Sequence, residues 1–184
     1  MRAGAIAAAM IGAALYYAWM TKQGAGTAGD EDANFLSDAV DDMQSKITGW
    51  PAGSAQYQGD IQAAASANGV PVGLLAWLLW KESRYNPAII DGTRRSAAGA
   101  MGIAQFMPST ADDLGIDPLD PAEAIPAAAQ YLARLYKARG NWPEALAAYN
   151  WGIGNVQRRG LAAAPAETVD YYTTIMAKAG MAAA

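Results

Sequence analysis

The stretch GLLAWLLWKESRYNP, residues 73–87, constrains the fold more than any other part of the chain. Leu74, Leu75, Trp77, Leu78, Leu79 and Trp80 leave a helix here apolar on every side, and such a helix belongs inside a protein. Lys81, Glu82 and Ser83 close the run, just before Asn86-Pro87 breaks the chain. A carboxylate at the end of a buried helix calls for a reason, because an ordinary Glu sits on an exposed face.

Helix signals continue on both sides. Asp60 is placed to cap a helix that stops at Asn68-Gly69, and Pro71 opens the next, which runs to Ser83. Ser109 is placed to cap a short helix through Leu114, closed by Gly115. Pro121 starts a long helix with Ile125, Tyr131, Leu132, Leu135 and Tyr136 largely on one side. Pro143 starts another, and a last one covers roughly Ala166 to Ala179. No run shows sustained two-residue alternation, so no strand is expected. The expected class is all-α, from about residue 59 to 184.

The first 58 residues read differently. Residues 3–20, AGAIAAAMIGAALYYAWM, carry no charge, and ten of the eighteen are Ala or Gly. As a helix they would span roughly 27 Å, close to a bilayer's hydrocarbon thickness. Tyr16, Tyr17 and Trp19 cluster at one end, as an interfacial belt does, and Gly4, Ala8 and Gly12 are spaced to let another helix approach. Residues 1–22 are therefore expected to be an N-terminal hydrophobic, transmembrane anchor. Arg2 before it and Asp30, Glu31 and Asp32 after it favour export of the rest. A cleavable signal peptide with GAGTAG as its cleavage zone, and an Ala-rich helix packed in an assembly, are the alternatives. Residues 23–58 read as a linker with a short amphipathic helix through Phe35, Leu36, Ala39, Val40, Met43 and Ile47. GWPAGSAQYQG then marks the main boundary.

Composition excludes several chemistries. With no Cys and no His, there is no thiolate nucleophile, no Ser-His-Asp triad and no histidine metal cluster. Acid–base work falls to carboxylates, Tyr or Lys. The net charge of −4, without a basic stripe, speaks against nucleic acid as a ligand. Six Trp and nine Tyr suit a groove for flat rings, and suit packing equally well.

Four motifs follow in order: KESRYNP with Glu82 and Ser83, SAAGAMGIAQFMPSTA over residues 96–111, ALAAYNWGIGNV over 145–156, and ETVDYY over 167–172. DPAEAIPAAAQYL lies between the second and third. Together these resemble the soluble lytic transglycosylase family, whose lysozyme-like fold is related to that of goose-type lysozyme. The resemblance covers about residues 59–178. It implies cleavage of the bond between N-acetylmuramic acid and N-acetylglucosamine in peptidoglycan, with a 1,6-anhydro ring formed in place of hydrolysis. Glu82 matches the one catalytic acid, used first to protonate the bond and then to take the C6 hydroxyl proton. Tyr149 matches the Tyr whose hydroxyl orients that acid. Ser96, Gln105 and Asn150 match residues that line the groove and bind sugar or acetamido groups, and Tyr171 a groove Tyr near the catalytic centre.

The chain departs from the family pattern at Ala104, where Met is usual, and at Ala124 and Ala128, where Asn and Gly are frequent. IIDGTRR also lengthens the loop before Ser96.

Residue chemistry agrees with that reading. A glycosidic bond needs a carboxylic acid that stays protonated near neutral pH, and burial against Trp and Leu at the negative end of a helix dipole raises a carboxyl's pKa. Ser83 reads as a side chain satisfying the helix end, Gly99 and Gly102 as backbone shape, and Met101, Phe106 and Met107 as core or groove wall. Trp151 suits stacking and packing alike.

No cofactor and no metal are implied, and Asp112, Asp113, Asp117 and Asp120 lack the spacing of a calcium loop. The expected partners are peptidoglycan glycan strands and, through the N-terminal helix, a membrane or a phage virion. The expected location of the catalytic domain is the periplasm or elsewhere outside the cytoplasm. A hydrolytic muramidase of the same fold, and a non-catalytic assembly component, are the rival functions.

Overall fold

The computed structural model describes residues 49–181. The hydrophobic segment of residues 1–22 and the amphipathic helix expected over 35–47 lie outside the described residues. Among those described, no helix is long and apolar enough to cross a membrane.

A compact unit begins at Ala52. It contains α1 (Gln58–Asn68), α2 (Val72–Ser83), α3 (Pro87–Ile90), α4 (Pro108–Leu114), α5 (Pro121–Arg139), α6 (Trp142–Trp151), α7 (Ile153–Arg159) and α8 (Ala166–Lys178), with single 3-10 turns before α1 and after α7. The one β-type pairing among the described residues is an isolated bridge between Met101 and Phe106.

The helix boundaries follow local chemistry. α1 ends in Gly69 at φ +65°, with Gly69 N–H donating to Ser66 and Val70 N–H to Ala65, and Gly115 closes α4 in the same way. Asp120 caps α5 by accepting from Ala122 N–H, and Asn141 caps α6 by accepting from Glu144 N–H. Three expected starts shift. Asp60 lies inside the first turn of α1, because the 3-10 turn Ala55–Tyr57 feeds directly into that helix. Ser109 lies inside α4, because Pro108 takes a first-turn position and leaves Met107 as the cap. Asn141, ahead of Pro143, caps α6.

α2 is the centre of the unit. Leu74, Leu75, Leu78 and Leu79 are fully buried, and α1 and α8 pack against the helix. α5 lies against α1 and α6 through a face rich in alanine, and α6 in turn packs on α8. Ala124 and Ala128, two of the departures from the family pattern, are both fully buried on that face. At α8 the buried side chains are Thr168, Tyr171, Ile175 and Met176, the spacing of one helix face. Thus α6 and α8 flank the C-terminal end of the buried helix and its carboxylate.

Two glycines rest on one short stretch. A Cβ on Gly102 would lie 1.6 Å from the Pro118 carbonyl oxygen, and one on Gly92 would lie 3.0 Å from the Leu119 side chain. The loop before Ser96 and the turn after it are therefore seated on consecutive residues.

Candidate active site

Glu82 stands in the last turn of α2, and the chain beyond it is folded back on the helix. Arg84 (φ +53°) and Tyr85 (φ +50°) both adopt the left-handed conformation, which costs a non-glycine residue about 1 kcal/mol or more. Three hydrogen bonds hold them there. Ser83 Oγ donates to the Leu79 carbonyl (3.0 Å) and accepts from Tyr85 N–H (3.2 Å), and Tyr85 Oη donates to the Ala76 carbonyl (2.8 Å). Ser83, fully buried, is thus the residue that satisfies the helix end. The Arg84 guanidinium lies 3.7 Å above the Trp80 ring.

The Glu82 carboxyl receives a short hydrogen bond from Tyr171 Oη on α8. Part of the residue faces solvent, yet its carboxyl is packed round closely enough for burial to dominate its titration. Burial pushes the Glu82 pKa up to about 7; the Tyr171 hydroxyl and the Lys81 ammonium pull in the opposite direction without overcoming it. Burial and the nearby Glu82 charge raise both Tyr171 and Tyr149 well above the ordinary tyrosine value, which keeps the two hydroxyls protonated as donors.

Lys81 and Glu82 are neighbours on α2, and so are Asp170 and Tyr171 on α8. The Lys81 ammonium meets Asp170 Oδ2 at 2.6 Å, so two adjacent bonds cross from one helix to the other. Asp170 also accepts from Thr174 Oγ1 and is held below the usual carboxylate range, chiefly by its hydrogen bond from Lys81.

Residues 101–106 make a tight turn closed by Met101 N–H to Phe106 O (3.0 Å) and Phe106 N–H to Met101 O (3.1 Å). Gln105 sits in it at φ +48°, its side-chain amide donating to the Gly102 carbonyl at 2.9 Å. Tyr149 Oη donates to the Ala104 carbonyl at 3.1 Å, tying this turn to the end of α6. The Tyr149 ring belongs to a cluster with Phe106 and Tyr131, with centroids 5.5–6.3 Å apart.

The hydroxyl that meets Glu82 is thus that of Tyr171, while Tyr149 serves the turn that carries Gln105 and lies close enough to feel the charge of the acid. Asn150, exposed at the end of α6, accepts from Thr168 Oγ1 at 2.8 Å; its amide NH2 remains as the outward donor. Ser96 Oγ accepts from Ala100 N–H at 2.8 Å, closing its own loop. No hydrogen bond joins Ser96 to the Glu82 cluster among the described residues. Met107 is exposed, Phe106 buried, and Trp151 lies half-buried with the Arg159 guanidinium 5.8 Å from its ring.

Sequence reasoning had no role for the Lys81–Asp170 pair or for Thr168. The signal for Thr168 was its place one turn before Tyr171 on a common face. A shallow cleft lined by Asn68, Leu114, Ile116, Glu123, Pro126 and Gln130 lies away from all these residues. Among the described residues no group of three or more acidic side chains is placed to hold a metal ion.

Residues 60–170 match the family described as Transglycosylase SLT domain. The chain is similar to Peptidoglycan transglycosylase gp16 of Escherichia phage T7, 40% identical over 111 residues covering 55% of this chain and 8% of that protein. It is similar to Membrane-bound lytic murein transglycosylase F 2 of Alkalilimnicola ehrlichii, 35% identical over 109 residues covering 55% of this chain and 23% of that one. The chain therefore matches less than a quarter of the length of either relative. Its fold is like that of an inactive mutant of the lytic transglycosylase Slt from Pseudomonas aeruginosa, with a TM-score of 0.54 and 24% identity over 65% of this chain and 22% of that one. The matched region holds Glu82, the turn with Gln105, Tyr149 and Asn150, and reaches the Lys81 partner Asp170. The chain belongs to the Transglycosylase SLT domain family.

Proposed function

We propose that the protein is a peptidoglycan lytic transglycosylase that opens the bond between N-acetylmuramic acid and N-acetylglucosamine, with Glu82 as its single acid and base. The observation that carries this is the buried Glu82 carboxyl, pushed up to about 7 at the end of an apolar helix and held by Tyr171. A carboxyl in that state keeps a large protonated fraction at neutral pH and can take a proton back after each turnover.

With Oε1 engaged by Tyr171, Oε2 is the oxygen free to present the proton. That proton passes to the glycosidic oxygen as the bond to C1 of the muramic sugar breaks, and N-acetylglucosamine leaves as an alcohol. The carboxylate then accepts the proton of the muramic C6 hydroxyl while that oxygen closes on C1. The acid is thereby regenerated and no water is consumed. Tyr149 fixes the turn bearing Gln105, while Gln105 and Asn150 offer amide groups to the sugar's acetamido and hydroxyl groups. Ser96 supports the loop at the groove's lip.

Both relatives carry peptidoglycan or murein in their names, one from a phage and one named as membrane-bound. This supports action on the wall outside the cytoplasm. We take the hydrophobic segment at residues 1–22 to deliver the domain there, as a membrane anchor or as a part packed into a phage particle.

The test is mass spectrometry of the fragments released from purified peptidoglycan by the full chain, with Glu82→Gln alongside. Anhydro-muramyl ends from the wild type, with a loss of about 10²–10⁴-fold in the variant, are expected. Reducing muramyl ends would make the protein a hydrolase. No release by a folded wild type would leave a binding role.

A further inference from the structure

Beside the acid lies a charge arrangement that the proposed chemistry has not used. The Lys81 side chain is only 20% exposed, so its ammonium has a fixed place next to Glu82, whereas its partner Asp170 is 66% exposed. An ion pair with one partner so open to water adds little stability. Its position is what distinguishes it. Asp170 bonds Lys81 directly, and Lys81 is the cation whose charge acts on Glu82; Asp170 also lies within the field of Arg84. It also precedes Tyr171, so the bond that occupies Lys81 brings the Tyr171 hydroxyl onto the carboxyl.

Resting on the reading of Glu82 as the acid, we infer that Asp170 and Lys81 form a positioning pair: Asp170 draws the flanking ammonium aside, so that Glu82 holds its proton, and registers α8 so that Tyr171 meets the acid.

The surroundings of Glu82 make the sign definite. Tyr171 meets it from α8, Tyr149 lies near it from α6 and Lys81 stands beside it on α2, with Asp170 of α8 bound to Lys81 and Arg84 of the α2 cap acting on Asp170. The tyrosines are held neutral, and the charge acting on the carboxyl is that of Lys81. Loss of the anion frees the Lys81 ammonium to stabilise the carboxylate; loss of Lys81 removes that stabilisation.

The experiment is carboxyl-carbon NMR of the full chain labelled at Glu, with the Glu82 signal identified by its absence in Glu82→Gln. It is titrated for wild type, Asp170→Asn, Lys81→Met and the double variant. Asp170→Asn is expected to move the Glu82 midpoint down by about half a pH unit, and Lys81→Met to move it up by a similar amount. The double variant should fall between them, and Asp170→Glu should restore the wild-type midpoint. The alkaline limb of peptidoglycan release should follow the same order.

Unmoved midpoints in folded single variants, or shifts of the same sign in both, would overturn the pair's role. The NMR readout needs no turnover. Opposite shifts without release by the wild type would keep the pair's electrostatic role and discard the lytic reading instead.

Discussion

Tyr171 on α8 donates its hydroxyl to the Glu82 carboxyl on α2, across 89 residues of sequence. The bond favours the charged acid while burial favours the neutral one, and burial wins. Tyr171→Phe removes the opposing effect. The Glu82 midpoint should rise above its present value of about 7, and the alkaline limb of the pH–rate profile should move up with it. Loss of the orienting bond should lower the rate at the optimum roughly tenfold or more. Rate profiles from pH 4 to 9 check both.

Glu82 also makes the fold sensitive to pH. Its folded-state pKa lies above the unfolded value of 4.5, so between 4.5 and about 7 the native state binds more protons than the unfolded one. The protonated carboxyl's contribution is fully present below 4.5 and is lost as pH rises through 7. The size is on the order of 2–4 kcal/mol. Glu82→Gln keeps the shape without the charge. Its unfolding midpoint in urea should exceed that of the wild type at pH 8, with the difference shrinking toward pH 5.

Gly102 is the glycine with no alternative. At φ +74°, with a Cβ 1.6 Å from the Pro118 carbonyl oxygen, Gly102→Ala requires the backbone itself to shift. A loss of about 3 kcal/mol or more and a fall in Tm of about 10 °C are expected by calorimetry. Gly99→Ala is the control. Its φ is +84° with nothing within 4 Å, so the cost should stay near 1 kcal/mol.

Ser83→Ala should destabilise by about 1–2 kcal/mol in urea titration, because the Tyr85 N–H is left buried without its acceptor. The same change loosens the backbone that ends the helix beneath Glu82, so kcat should fall while KM holds.

Much of this was legible in the residues. The apolar run of α2 announced a central helix, and the carboxylate after it announced a buried carboxyl with a raised pKa, because period and composition are local properties. Gly69 and Gly115 marked helix ends for the same reason. The left-handed Arg84 and Tyr85 were not legible. Nothing in their side chains asks for that conformation, which is imposed by the Ser83 and Tyr85 hydrogen bonds to the helix. The partners of the two tyrosine hydroxyls were hidden too. Whether Tyr149 or Tyr171 reaches Glu82 depends on how α6 and α8 are rotated against α2, a property of packing that motif order does not encode. Lys81 and Asp170 each look like ordinary surface charges until the helices are laid side by side.

Pro118 and Leu119 are not among the proposed sugar-binding residues, yet Gly92 of the lip and Gly102 of the turn both rest on them. The two segments share one footing. A bulkier or smaller side chain at Leu119 would tilt the lip toward or away from the turn, and would alter which wall chemistries fit between them while leaving Glu82, Tyr149 and Tyr171 in place. Relatives that attack differently decorated walls should therefore differ at this footing as readily as at the residues that meet the glycan.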